Sequence, residues 1–71
     1  MPESRQMPRI GKRCYELRIN DKDVKWRIMY HITGDSIVIL HIFPKKTRTT
    51  PNEVVSLCKQ RLDYYYQSIN D

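Results

Sequence analysis

Three consecutive stretches rich in apolar residues constrain the fold of this chain more than any other feature. They cover residues 13–20, 24–33 and 36–43, and short turns at 21–23 and 34–35 separate them. Apolar and polar residues alternate strictly in the first two stretches, as is typical of half-buried β-strands. The third stretch is apolar on both faces and ends at a proline. The sequence therefore predicts a three-stranded antiparallel β-meander.

The register of the two hairpins can be tested for consistency, because directly opposite residues share a face of the sheet. If Asp21-Lys22 and Gly34-Asp35 are two-residue loops, Leu17 pairs with Trp26, and Trp26 pairs with Phe43. Both hairpins then agree on one apolar face, which we expect to form the core. Its members are Tyr15, Leu17, Ile19, Val24, Trp26, Ile28, Tyr30, Ile32, Ile37, Ile39 and Phe43.

A helix is predicted from about Pro51 to about Gln67. Its apolar stripe repeats at steps of three and four residues and consists of Val54, Val55, Cys58, Leu62 and Tyr65. Thr50 is the expected N-cap and Glu53 completes a capping box. We expect the stripe to cover the apolar face, with Cys58 in the core and Cys14 on the opposite side of the sheet.

The predicted fold class is α+β, a three-stranded antiparallel meander with a C-terminal helix packed on one face. Residues 1–12, interrupted by Pro2, Pro8 and Gly11, are interpreted as an irregular N-terminal segment. The folded domain is expected to occupy residues 13–68.

The chain carries a net charge of +5 and has a pI near 9.5, which favours acidic partners such as nucleic acid. A basic connection joins the third strand to the helix, whose N-terminus itself favours anions. The alternative is that this connection is merely solvated. The face opposite the predicted core carries further cations, together with Glu16 and His31. The candidate phosphate contacts are Arg13, Lys25, Lys45 and Arg48.

The face opposite the predicted core also carries an apolar stripe in the third strand. Val38, Leu40 and Ile42 are expected to be exposed there, since the chain supplies no second helix to cover them. Exposed apolar stripes favour association. We therefore expect a homodimer.

Several classes of protein are disfavoured by what the sequence lacks. Cys14 and Cys58 have no second cysteine or histidine at zinc-ligand spacing, so neither a metal site nor any other cofactor is expected. No apolar run approaches the roughly 18 residues of a membrane span, and the first residues do not resemble a signal peptide. Unpaired cysteines favour a reducing, cytoplasmic location.

Five segments, read in order, resemble the RelE/HigB superfamily of toxins, and in particular its phage-derived HigB-like branch. They are Tyr15-Glu16-Leu17-Arg18, Trp26-Arg27-Ile28-Met29-Tyr30, Ile37-Val38-Ile39-Leu40-His41-Ile42-Phe43-Pro44-Lys45-Lys46-Thr47, Thr50-Pro51, and the helix with Cys58-Lys59 and Arg61-Leu62. The resemblance covers roughly residues 7–66. It implies a twisted antiparallel sheet with packed helices. It further implies a metal-independent, ribosome-dependent endoribonuclease that cleaves mRNA and is held inactive by an antitoxin protein.

The resemblance also implies roles for individual residues. Arg27 matches a phosphate-contacting arginine, Lys46 a cation that stabilises the scissile phosphate, and Arg18 a group beside the attacking 2′-hydroxyl. The alternative is that Arg27 pairs with Glu16 and that Lys46 is merely solvated. His31, on the same face as Arg27, is a candidate acid or base. Relatives usually begin with a strand and two helices that have no counterpart here. We therefore expect the chain alone to be a weak or inactive remnant.

Two other functions remain open. One is a non-catalytic module that binds RNA or an antitoxin. The other is the gyrase-poisoning branch of the same fold. The pair Arg27 and Lys46 fits the ribonuclease branch better than this one.

Overall fold

The computed structural model of the chain describes residues 3–46 and 48–69. In chain order it contains the strands β1 (Glu3–Gln6), β2 (Cys14–Asp21), β3 (Val24–Ile32) and β4 (Ile37–Pro44), followed by the helix α1 (Asn52–Ile69). The strands form one antiparallel sheet in the order β1-β2-β3-β4. Thr47, part of the basic connection and of the quoted motif, lies outside the described residues, as do residues 1 and 2 of the predicted irregular segment.

The predicted three-stranded meander is wrong, because β1 adds a fourth strand within the segment interpreted as irregular. The strand consists of four polar residues and therefore offers no hydrophobic alternation to detect. It is held by pairing with β2, in which Ser4 lies opposite Leu17. The chain then turns back into the core, where Met7 and Ile10 are each 5% exposed.

The β2–β3 hairpin turns one residue later than predicted. Asp21 still pairs with Val24, so Lys22 and Asp23 form the loop, with Lys22 at a positive φ of 31°. Leu17 consequently pairs with Ile28 instead of Trp26. This shift moves each partner by two positions, and a shift of two keeps every side chain on its predicted face.

The β3–β4 hairpin has the predicted Gly34-Asp35 turn, and Ile32 pairs with Ile37 as expected. Further along, Tyr30 pairs with Ile39 but Met29 pairs with His41, which leaves Leu40 as an extra residue in β4. Such a β-bulge changes which residues of the strand share a face. Phe43 therefore lies opposite Arg27, and the predicted pairing of Trp26 with Phe43 is wrong because Trp26 faces Pro44.

The helix covers the opposite face of the sheet from the one predicted. The core consists of Met7, Ile10, Cys14, Met29, Leu40, Val55, Cys58 and Leu62, with Val38, Phe43 and Val54 packed against it. The physical reason lies in the connection that precedes α1. Thr50 and Arg48 are bonded to Glu16 and Arg27, so the helix is led onto the side of the sheet that carries those two residues.

Two further expectations are corrected by this arrangement. Cys14 is buried on the same side as Cys58, and both thiols are free. Val38 and Leu40 lie under the helix and are not exposed. The exposed apolar stripe instead belongs to the uncovered face, which we call the open face, where Ile37, Ile39 and Ile42 are 64%, 54% and 53% exposed.

The apolar stripe of the helix is as predicted. Val55, Cys58 and Leu62 are buried, while Val54 and Tyr65 are half-buried. The helix begins at Asn52, one residue later than expected. The hydroxyl of Thr50, predicted to cap the helix, donates instead to Glu16.

Candidate functional site

Glu16 lies at the centre of an ionic cluster on the face covered by the helix. Its side chain has no exposed surface and accepts hydrogen bonds of 2.9 Å from Arg18 Nε and from Thr50 Oγ1. Arg27 Nη1 lies 3.9 Å from Oε2 of the carboxylate, and Arg5 Nε lies 3.6 Å from Oε1. One carboxylate therefore meets three guanidinium groups, which come from β1, β2 and β3.

The pKa of Glu16 lies below its ordinary value of 4.5. Burial is the largest influence and acts to raise the pKa, but the surrounding donors and cations together outweigh it. Those groups are the hydrogen-bonding Arg18 and Thr50 and the charges of Arg27 and Arg5. The carboxylate is thus ionised at neutral pH, and a cluster of three cations and one anion keeps a net positive charge.

Arg27 is the most buried cation of the cluster, with a side chain 1% exposed. Its Nη2 donates a 3.0 Å hydrogen bond to the backbone carbonyl of Arg48. Together with the bond from Thr50 to Glu16, this contact fixes the connection between β4 and α1 at two points. The orientation of the guanidinium group is therefore set by the protein, which is the preorganisation that a binding site requires.

A cavity of about 240 Å³ opens beside this cluster, at the end of β4 and the start of the helix. It is lined by Arg27, Phe43, Pro44, Lys46 and Pro51. The structure thus brings the predicted pair Arg27 and Lys46 to one cavity. A guanidinium and an ammonium group beside apolar walls suit a ligand that carries a phosphate next to a ring. The roles predicted for the two residues stay predictions.

Lys45, the neighbour of Lys46, is close to the same cations. Its pKa is lowered from 10.5, first by burial and then by other positive charges, with Glu16 acting in the opposite direction. The charges that lower it belong to Arg27, Arg18 and Lys25. A backbone hydrogen bond also joins Lys45 to Lys25, because Lys45 N donates to Lys25 O at 2.6 Å. This end of the sheet is therefore a concentrated source of positive potential, which an anion would stabilise.

The remaining predicted phosphate contacts are placed differently. Arg48 is exposed and contributes its carbonyl oxygen to Arg27. Arg13 is also exposed, but its carbonyl accepts from Ile32 N at the far end of β3, five residues along the strand from Arg27. At about 3.3 Å per residue, that separation places Arg13 outside the cluster.

His31 belongs to a second polar group on the covered face. Its imidazole is 4% exposed and lies between Cys14 and Tyr66. Nδ1 is 3.5 Å from the sulfur of Cys14, and Nε2 is 2.5 Å from the hydroxyl of Tyr66. The predicted acid or base is thus engaged by Cys14 and Tyr66, and it does not line the cavity of Arg27 and Lys46.

Sequence reasoning missed two residues of the cluster. Thr50 was interpreted as a helix cap. Arg5 lies in a strand that gives no periodic signal. The alternation of β2 does place Glu16 on the face of Arg18 and Arg27, so a carboxylate among cations was the available signal.

Among the described residues, no helix is long and apolar enough to cross a membrane. The fold and the cluster together define a small domain with a four-stranded antiparallel sheet, one C-terminal helix and a cation-lined cavity. The chain belongs to the family of phage-derived Gp49-like proteins (DUF891), whose family model matches residues 1–63. Comparison with curated proteins finds no match, and comparison with solved structures finds none.

Proposed function

We propose that the chain is the toxin component of a toxin–antitoxin system, a RelE/HigB-type endoribonuclease that cleaves mRNA on the ribosome without a metal ion. The observation that carries the proposal is the meeting of Arg27 and Lys46 at one cavity beside a net positive cluster. Membership of a phage-derived family supports it.

The proposed reaction is attack by a ribose 2′-hydroxyl on the adjacent phosphorus, which forms a 2′,3′-cyclic phosphate and breaks the bond to the 5′-oxygen of the next nucleotide. The attacking hydroxyl loses a proton to solvent and the leaving 5′-oxygen takes one up. Charge develops on the phosphate oxygens in the transition state, and fixed cations lower its energy. Arg27, held by Glu16 and by the carbonyl of Arg48, supplies a preoriented guanidinium. Lys46, which is exposed, supplies a point charge on a flexible stem.

Arg18 is the proposed neighbour of the attacking 2′-hydroxyl. Its side chain is 34% exposed while its Nε is bonded to Glu16, so the group is both anchored and accessible. We assign no proton transfer to His31, because its ring is buried and both of its nitrogens contact other side chains.

A non-catalytic module that binds RNA or an antitoxin is the second candidate. One observation favours it: Arg27 is almost completely buried and donates to a protein carbonyl, as a structural arginine does. Catalysis requires that part of this guanidinium be reached from the cavity that it lines.

The proposed partners are the ribosome with its mRNA, an antitoxin protein, and a second copy of the chain in the cytoplasm. The homodimer is proposed through the open face, since Ile37, Ile39 and Ile42 are each more than half exposed. Sedimentation velocity tests this, and a compact monomer at high micromolar concentration would refute the homodimer.

A translation-coupled cleavage assay tests the proposed activity, with Lys46→Ala as the variant and Lys59→Ala as its control. Lys59 is an exposed lysine of α1 outside the cavity lining, so its removal matches the change in charge. We expect the chain to cleave mRNA weakly and only in the presence of ribosomes, Lys46→Ala to abolish most of that cleavage, and Lys59→Ala to retain it. RNA binding without cleavage would select the non-catalytic module, and absence of both would overturn the proposal.

A further inference from the structure

A second cavity, of about 260 Å³, lies between the segment that follows β1 and the connection that precedes the helix. Thr50 lines this second cavity, whereas Pro51, the next residue, lines the cavity of Arg27 and Lys46. Because consecutive Cα atoms are about 3.8 Å apart, one stretch of backbone borders both cavities.

The lining of the second cavity is suited to an anion. Arg5 and Arg9 contribute guanidinium groups and Thr49 contributes a hydroxyl group, whereas the hydroxyl of Thr50 donates to Glu16. Arg9 Nη2 donates to Asn52 Oδ1 in the first turn of the helix, so its planar fork is anchored on one side. Anchored guanidinium groups bind phosphate oxygens in pairs and with defined geometry.

The two cavities also share one ionic cluster. Arg5, from the second cavity, and Arg27, from the first, both contact the carboxylate of Glu16. A single negative charge is thus divided between cations that face different cavities. An anion in either cavity would offset part of the surplus positive charge. A polyanion that spans both cavities would place one negative group in each.

We propose that the second cavity binds the phosphodiester next to the one held by Arg27 and Lys46, so that the site takes at least two successive nucleotides of single-stranded RNA. The inference rests on the proposed RNA-binding function and adds the path of the strand. The strand crosses the Thr50-Pro51 peptide from one cavity to the other.

The test measures binding of two probes to the full chain and its variants by fluorescence anisotropy and competition, at several salt concentrations. The probes are a labelled single-stranded oligouridylate and uridine monophosphate. The variant is Arg9→Gln, which retains an amide to reach Asn52 and leaves Glu16 untouched. We expect it to weaken oligouridylate binding about tenfold, the usual value of one charged hydrogen bond, and to reduce the salt slope by about 0.7. The affinity for uridine monophosphate should not change.

Lys59→Gln on the exposed face of α1 removes the same charge outside both cavity linings and should change neither affinity more than about twofold. Arg5→Gln, on another wall of the second cavity, should repeat the effect of Arg9→Gln. A loss in both arginine variants no larger than in Lys59→Gln would overturn the inference. So would an equal loss of affinity for uridine monophosphate, since that result describes an isolated anion pocket and not part of a strand path.

Failure of the proposed function is a separate outcome. If Lys46→Gln leaves the binding of both probes unchanged, the phosphate site at the first cavity is refuted, whatever the result for Arg9→Gln.

Discussion

Of the two faces of the sheet, the covered face is the more polar and the open face is the more apolar, so burial here is the reverse of what hydropathy predicts. Under the helix, Glu16 and Arg27 are 0% and 1% exposed, while on the open face Ile37, Ile39 and Ile42 remain more than half exposed. The buried polar groups are tolerated because they are bonded to one another or to the backbone. Burial in this small chain is therefore decided by where the helix docks, and polar contacts direct that docking.

Glu16→Gln should produce the largest change, because it removes a buried carboxylate that contacts three guanidinium groups on the covered face. Breaking a buried ionic contact by removing one partner typically costs about 3–5 kcal/mol. Urea unfolding should therefore show a loss of that order. Glu53→Gln, an exposed carboxylate in the first turn of α1, is the control and should change stability by less than about 0.5 kcal/mol. Equal effects in the two variants would mean that polar contacts do not direct the docking.

Leu40→Ala and Ile39→Ala compare the two faces at neighbouring positions of one strand. Leu40 is 2% exposed under the helix, whereas Ile39 is 54% exposed on the open face. The first substitution should cost about 2–5 kcal/mol and the second about 1 kcal/mol or less. Thermal or chemical unfolding at low protein concentration measures both. A loss for Ile39→Ala that grows with protein concentration would show that a second copy covers the open face.

Acid should weaken the covered face before the open face. The folded-state pKa of Glu16 is lowered, so its contribution to stability is complete above the ordinary value of 4.5 and is lost as the pH falls from there through the lowered pKa. The free energy of unfolding should decline across that window in the native chain. The decline should be shallower in Glu16→Gln, and identical slopes would contradict the lowered pKa.

Tyr66→Phe should have the smallest effect on the covered face. It deletes the hydroxyl that contacts His31 Nε2 but keeps the aromatic ring, whose edge packs against the imidazole. The net worth of one such hydrogen bond is about 0.5–1.5 kcal/mol. Tyr64→Phe, at a position 75% exposed, is the matched control and should be neutral. If both variants are neutral, the contact between His31 and Tyr66 adds nothing to the packing of the helix.

Much of the sheet could be predicted because alternation fixes which residues of β2 and β3 share a face. The covered face could not, since the rule that apolar residues are buried favours the isoleucine-rich side. The bonds that override this rule, from Thr50 to Glu16 and from Arg27 to Arg48, join residues distant in sequence. No local pattern in the sequence records them.

The candidate site was predicted only in part, because some of its residues are placed by contacts between elements that are distant in sequence. The resemblance assigns both Arg27 and Lys46 to the scissile phosphate, and the two residues line one cavity. Arg5 was missed because β1 has only polar residues and exists through its pairing with β2. His31 was placed on the correct face, but its burial depends on the position of the helix.

The extra residue in β4 divides the strand into two segments, in which the alternation between the two faces differs by one residue. Before Leu40, the strand faces the helix through Val38. After it, the alternation is shifted by one residue. Phe43 therefore lines the cavity with Arg27, while Ile42 faces outward. Deleting Leu40 would therefore close the ladder without moving its neighbours, because His41 would follow Ile39 directly and still pair with Met29. Ile42 and Phe43 would keep their present faces, and the core would lose one buried side chain. One strand thus serves the core with the residues before the bulge and the candidate site with the residues after it.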